Sequence, residues 1–270
     1  MADTNDDRLA DFRALNDQSL RRKLESDEFF IAEGYVAIER LIESEHVVRS
    51  VLLAPSRVSR FEPHLERFAA ADVPVYVAER ETIAEVVGFD MHRGVIASAN
   101  RKPNPSLDEL ISTSLRIAVL EGLNDAENLG AISRAARAFG IDGLLIDPTC
   151  TDPYSRRTVR VSMGEVLFLP IVRISEPDWP GALHTLEAAG FETWAMTPEP
   201  SASDLWGTPV PERLAVLLGA EGPGLAEQTL IASGRRVRIP IRPEVDSLNV
   251  GHAAAVTFAA IGRPMFSAQT

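Results

Sequence analysis

Apolar positions along the chain follow two alternating spacings, and together they predict an α/β protein. Up to about residue 15 no such spacing is present, and this stretch reads as a disordered or loosely docked lead-in. From Asp27 onward the pattern is regular. A helix is predicted over 32–43, with Val36, Ile38, Leu41 and Ile42 mostly inward, followed by a strand over 47–53, a helix over 63–71, a strand over 73–77, a helix over 81–87 and a strand over 95–99. After a Pro- and Asn-containing stretch at 101–106, where Ser106 is placed to cap a short helix, the alternation resumes. Strands are predicted at 117–120, 143–146, 168–172, 193–196, 215–218 and 237–239, and helices at 129–139, 154–161, 181–189, 226–232 and 250–261. These second-half strands are runs of Val, Ile and Leu without strict alternation, which fits a mostly parallel sheet buried on both faces by helices. Two domains are expected, a smaller α/β domain over 1–100 and a larger one over 107–270.

Composition narrows the setting. Hydrophobic residues make up 45% of 270, enough for packed cores, yet no apolar run is long enough to span a bilayer. The acidic start is unlike a secretory signal, and Cys150 is the only cysteine, so no intrachain disulfide can form. A cytoplasmic protein without a membrane association is expected. The net charge of −12 opposes nucleic-acid binding taken as a sum, but its distribution does not. Only Lys23 and Lys102 are lysines among 27 basic residues, and arginines cluster at 134/137, at 156/157/160 and at 235/236/238. Each cluster reads equally as solvated surface or as a phosphate-gripping face, because the guanidinium fork matches phosphate.

Several chemistries are excluded. No Gly-Lys pair offers a P-loop lysine, no histidine pair has zinc-ligand spacing, and Ser162 lacks the preceding glycine of a nucleophile elbow. No metal is expected. Cys150 has no flanking base and reads as a spectator. The glycine-rich stretch 219–224 does not match the dinucleotide pattern, which argues against a nucleotide-binding dehydrogenase.

Three segments remain. In the first, a strand runs through a polar loop into a helix carrying Asn128, Gly130 and Arg134; Asn128 is a candidate helix cap, Arg134 and Arg137 share one face, and Ile132, Ala136 and Phe139 mark the packed side. In the second, the buried strand ending at Leu218 meets Gly219, Gly222 and Gly224 around Glu221, an acid at the carboxyl end of a strand. Such a loop serves either as a tight turn or as bare backbone laid against a ligand. In the third, Ile239 and Pro240 close a strand, and a helix opens at Ser247 or Asn249. That helix is apolar on nearly every side and is expected to be buried, against another subunit if not within the chain, with His252 more often a core histidine than a catalytic one.

In this order and spacing, the three segments resemble the motifs of the SpoU/TrmH branch of the SPOUT RNA methyltransferases. The matching residues are Asn128, Gly130 and Arg134; then Gly219, Glu221, Gly222, Gly224 and Leu225; then Ile239 and Pro240 followed by Ser247, Leu248, Asn249 and Val250. The stretch from Asp152 to Gly164 also looks like a family segment, and Phe30 to Gly34 with the small domain looks like the family's N-terminal RNA-binding module. The resemblance implies a parallel sheet with a C-terminal trefoil knot and an obligate homodimer. It implies methyl transfer from S-adenosylmethionine to a ribose 2′-hydroxyl of rRNA or tRNA. Carried over residue by residue, Arg134, Asn128, Glu221 and Asn249 would be catalytic, and Leu218, Gly219, Ile239, Leu248 and Val250 would hold the cofactor. The family commonly has a serine after the third motif's valine, where this chain has Gly251 and His252. The competing expectation is an RNA-binding relative that keeps the fold without catalysis.

Overall fold

The computed structural model describes residues 3–25, 28–91 and 94–262. Its helices and strands, in chain order, begin with α1 (Gln18–Glu25), β1 (Phe29–Glu33), α2 (Tyr35–Glu43), β2 (Val48–Leu53), α3 (Val58–Ala70), β3 (Val75–Val77), α4 (Arg80–Val87) and β4 (Val95–Asn100). They continue through α5 (Leu107–Thr113), β5 (Arg116–Glu121), α6 (Ala126–Ala138), β6 (Gly143–Ile146), α7 (Arg156–Val161), β7 (Ile171–Arg173) and α8 (Ala182–Ala188). The last are β8 (Glu192–Met196), β9 (Ser203–Asp204), β10 (Leu214–Gly219), α9 (Glu227–Ala232), β11 (Arg235–Arg238) and α10 (Val250–Ile261). Contacts divide the chain into two compact units, one of residues 1–102 with 154–167, the other of residues 103–153 with 168–270.

In the first unit the strands lie in the order β1-β4-β2-β3, antiparallel except for β2 with β3. Three expectations need correction here. The lead-in is not loosely docked: Leu9 and Phe12 are fully buried on a 3-10 turn over Asp7–Phe12, and Asp11 accepts hydrogen bonds from Ser98 Oγ (2.6 Å) and Arg49 Nε (2.8 Å). Two large apolar side chains set among acids make a docked face without a helical or strand period. Residues 1, 2 and 27 lie outside the described residues. The helix expected over 32–43 begins only at Tyr35, because Phe29–Glu33 is a strand buried at all five positions, and Val36 is exposed rather than inward. The third concerns the arginines of α7, which belong to this unit. Arg156 and Arg160 pair with Glu33, whose side chain is 5% exposed, so for these two the solvated-surface and phosphate-face readings both give way to an internal ion pair. Two guanidinium groups offset the cost of burying that carboxylate.

The second unit is a seven-stranded sheet, β7-β6-β5-β10-β8-β11-β9, parallel at every pairing. β5, β6 and β10 are buried along their whole length, as strands covered on both faces must be, and Ile117, Val119, Leu145, Leu217, Leu183 and Phe191 share one core. The strand expected over 168–172 starts at Ile171, since 165–168 forms a 3-10 turn. Ser106 caps α5 by accepting from Glu109 N at Oγ, and its own N–H donates back to the Glu109 carboxylate, as its sequence indicates. Arginine side chains close the helix ends. Arg213 donates to Ala189 O and Ile111 O, and Arg116 donates to Ile261 O, so orphan carbonyls at the ends of α8, α5 and α10 find donors. α10 packs on α6, with Val250, Gly251, Ala254, Phe258 and Ile261 buried and His252, Ala259 and Ala260 exposed. His252 is therefore not a core histidine. Phe139, expected on the packed side of α6, is 37% exposed, whereas Ile132 and Ala136 are fully buried.

Candidate functional site

A parallel sheet delivers every strand's carboxyl end to one edge, so β5, β10 and β11 release their following loops on the same side. The loop after β5 leads into α6. Its N-cap is Asp125, which accepts from Glu127 N, and not Asn128 as local chemistry had suggested. Asn128 is inside the first turn and 8% exposed, and its side chain is committed elsewhere. Its Nδ2 donates to Glu221 Oε2 at 3.2 Å, and its Oδ1 accepts from Asn249 Nδ2 at 2.9 Å. Asn249 caps α10 at the same time, its Oδ1 accepting from Gly251 N (2.9 Å) and His252 N (3.3 Å). One hydrogen-bonded chain thus joins the three sequence segments through Asn128, Glu221 and Asn249. Ser247, the alternative helix start, lies in the preceding loop.

Two glycines make this convergence possible. A Cβ on Gly219 would stand 2.2 Å from Gly224 C and 2.3 Å from Leu225 N, so the loop can fold back on its own strand only if residue 219 has no side chain. The fold-back is closed by Gly224 N donating to Ala220 O at 3.0 Å, and Gly222 and Gly224 take φ of 91° and 73°. At Gly251 a Cβ would meet Ala131 Cβ at 3.2 Å, so the residue standing where the family has serine lets α10 start close against α6.

Arg134 lies one helical turn beyond Ala131 on α6, is exposed, and has no hydrogen bond or ion pair among the described residues. Three further arginines of the clusters are engaged, whereas the buried Nε of Arg238 has no hydrogen-bond partner among the described residues. Arg137 stacks over the Phe168 ring at 5.4 Å, Arg235 pairs with Glu192 at 2.8 Å and Arg236 with Glu199 at 2.9 Å.

Of the residues expected to hold a cofactor, Leu218 and Gly219 are buried at the end of β10, Ile239 is half-buried just past β11, and Leu248 is 37% exposed in the segment leading to Val250 at the start of α10. Val245 of the same segment is 46% exposed. The backbone at 219, 222 and 224 carries no side chains, and Val245 and Leu248 leave apolar surface open to solvent. Cys150 takes no part. Burial, together with the neighbouring Asp147 carboxylate, pushes its thiol pKa up to about 12, so it stays protonated and unreactive at neutral pH. Among the described residues no group of three or more His, Cys, Asp and Glu could hold a metal ion, and no helix is long and apolar enough to cross a membrane.

The family model described as the SpoU rRNA Methylase family matches residues 115–259, spanning all three segments. This chain belongs to the SpoU rRNA methylase family. Among curated SpoU relatives, an uncharacterized tRNA/rRNA methyltransferase of Mycobacterium tuberculosis is 40% identical over 262 residues, which is 96% of this chain and 89% of that protein. Among solved structures, the AdoMet-bound rRNA methyltransferase from Sinorhizobium meliloti is 26% identical with a TM-score of 0.80, covering 99% of this chain and 98% of that one. An RNA 2′-O ribose methyltransferase is also 26% identical, with a TM-score of 0.73 and 97% coverage of both chains.

One residue of this SpoU chain escaped the sequence reading. Glu121 is, like Glu221, an acid at the carboxyl end of a buried strand, and the signal that singled out Glu221 applied equally to it. It is 8% exposed and accepts three hydrogen bonds.

Proposed function

We propose that the protein transfers a methyl group from S-adenosylmethionine to a ribose 2′-hydroxyl of rRNA or tRNA. The observation that carries this reading is the Glu221–Asn128–Asn249 chain, which draws three loops from distant parts of the sequence together at the carboxyl edge of the sheet, with Arg134 further along α6 and without a partner among the described residues. The AdoMet bound to the S. meliloti structure and the 2′-O ribose activity named for the second solved relative support it.

The donor brings an activated methyl group, so the chain's own residues have to align a weak nucleophile and stabilise its charge. Leu218, Gly219, Ile239, Leu248 and Val250 hold the donor, largely through backbone around the glycine loop. Arg134 stays protonated and is no base. It grips the phosphate beside the target ribose and stabilises negative charge developing on the attacking oxygen. Asn128 fixes the ribose, and Glu221 and Asn249 hold Asn128 in register. The expected RNA-binding domain over 1–100, which lies in the first unit, brings the RNA, while the expected methyltransferase domain over 107–270, most of which is the second unit, carries the chemistry. The C-terminal chain threads through a loop to make a trefoil knot, and the exposed side of α10, with Ala259 and Ala260, meets a second copy in a homodimer.

The test is transfer of tritiated methyl from S-adenosylmethionine to total RNA from a strain lacking the protein, with the product digested to nucleosides. Label should appear in 2′-O-methylnucleosides. Label confined to base-methylated nucleosides overturns the ribose assignment, and cofactor binding without any transfer marks a non-catalytic relative.

A further inference from the structure

The reaction as proposed makes no use of the Glu121 carboxylate, although it lies directly against the glycine-rich loop. Glu121 ends β5 and is the register partner of Gly219, where β10 ends and the loop begins. Its Oε1 accepts from Thr229 Oγ1 at 2.7 Å and from Trp179 Nε1 at 3.1 Å, and its Oε2 accepts from Ala226 N at 3.0 Å. Among the described residues no lysine or arginine pairs with it. A buried carboxylate is held here by three neutral donors alone, an arrangement whose energy depends on all three being in place.

The origin of the donors is informative. Two of the three, Ala226 and Thr229, stand where the chain returns from the loop into α9, and Thr229 is fully buried. The loop of residues 219–226 therefore starts and ends at the same acid. Strand register fixes its departure, and the side chain fixes its return. Between those two points lie Glu221, bonded to Asn128, and the glycines that leave the backbone bare. A loop with three glycines has many conformations of similar energy, and holding both its ends at one point removes most of them.

We propose that Glu121 is a positioning residue that sets the span of the 219–226 loop, and so holds the cofactor-binding backbone and Glu221 in their working places. It acts through Ala226 and Thr229 and touches neither donor nor RNA. The inference rests on the reading of this loop as the S-adenosylmethionine loop.

The deciding comparison is Thr229→Val against Thr229→Ser and Trp179→Phe, with Glu121→Gln as the stronger lesion. Thr229→Val removes one loop-side donor without changing shape, Thr229→Ser keeps it, and Trp179→Phe removes the donor that comes from outside the loop. S-adenosylmethionine affinity by calorimetry, KM and kcat for methyl transfer, and the thermal midpoint are measured for each. Thr229→Val should raise both Kd and KM for the donor about tenfold, with kcat at saturation retained. Thr229→Ser should stay within about twofold of wild type, and Trp179→Phe should lower the thermal midpoint with little change in Kd. Glu121→Gln should weaken donor binding further than Thr229→Val; if it fails to fold, the Val/Ser pair at 229 still decides. Equal losses of thermal stability in Thr229→Val and Trp179→Phe, with Kd unchanged in both, would show a purely structural acid and overturn the proposal. A wild-type protein that binds no S-adenosylmethionine would overturn the cofactor reading itself, an outcome distinct from the first.

Discussion

Arg134→Ala loses methyl transfer by about a thousandfold, at the upper end of what removing one preorganised donor to a developing oxyanion costs, while S-adenosylmethionine binding stays within about twofold of wild type. The separation follows from geometry. Arg134 projects exposed from α6, one turn beyond the Ala131–Gly251 contact, and bonds to nothing among the described residues, so its removal leaves no buried partner stranded and no loop untied. Fold and donor site should survive while the charge-stabilising group is gone. Arg134→Lys should recover little, because a point charge cannot reproduce the forked grip on phosphate. Kinetics with labelled donor and calorimetry on the same preparation check both halves. An Arg134→Ala protein with near wild-type kcat would remove the residue from the chemistry.

Gly219→Ala acts on the other half of the site. Its Cβ would fall 2.2 Å and 2.3 Å from backbone atoms of Gly224 and Leu225, which cannot swing aside as a side chain could. The fold-back must open, and with it the Ala220–Gly224 bond and the seat of Glu221. Donor affinity should fall by more than about a hundredfold, the scale of overpacking penalties set against a small ligand site. Gly222→Ala is the informative contrast. Nothing lies within 4 Å of a Cβ there, and only its φ of 91° objects, so its loss should be nearer tenfold, as expected for about 1–2 kcal/mol of backbone strain. Equal, small losses in both variants would mean that the loop does not hold the donor.

The contrast between these positions also shows what a single sequence can and cannot reveal. Helix α10 was readable to the residue because a small apolar run opens at an asparagine with the right chemistry for a cap, and the buried strands β5 and β6 were readable from unbroken Val, Ile and Leu. Asn128 was misjudged as a cap for the same local reason: an asparagine ahead of an apolar period looks like one. Asp125, three residues earlier, does that work, and the real partners of Asn128 are 93 and 121 positions away. Glu33 and its two arginines are likewise more than a hundred positions apart, so Arg156 and Arg160 looked like spare charge. Leu9 and Phe12 were hidden by the acids around them, and Glu121, a strand-end acid like Glu221, by donors that lie 58, 105 and 108 positions away. Apart from Leu9 and Phe12, each of these is a side chain whose meaning lies in a distant partner, and only the three motifs taken together carried that long-range information.

The central claim is that the three loops form one seat for the methyl donor. A crystal structure of the protein with S-adenosylhomocysteine tests it most directly. The ligand should lie at the carboxyl edge of the seven-stranded sheet, in contact with Gly219, Ile239, Leu248 and Val250, with the Asn128–Glu221 and Asn128–Asn249 bonds intact beside it. Ligand density away from that edge, or a bound structure in which Asn128, Glu221 and Asn249 stand apart, would contradict it.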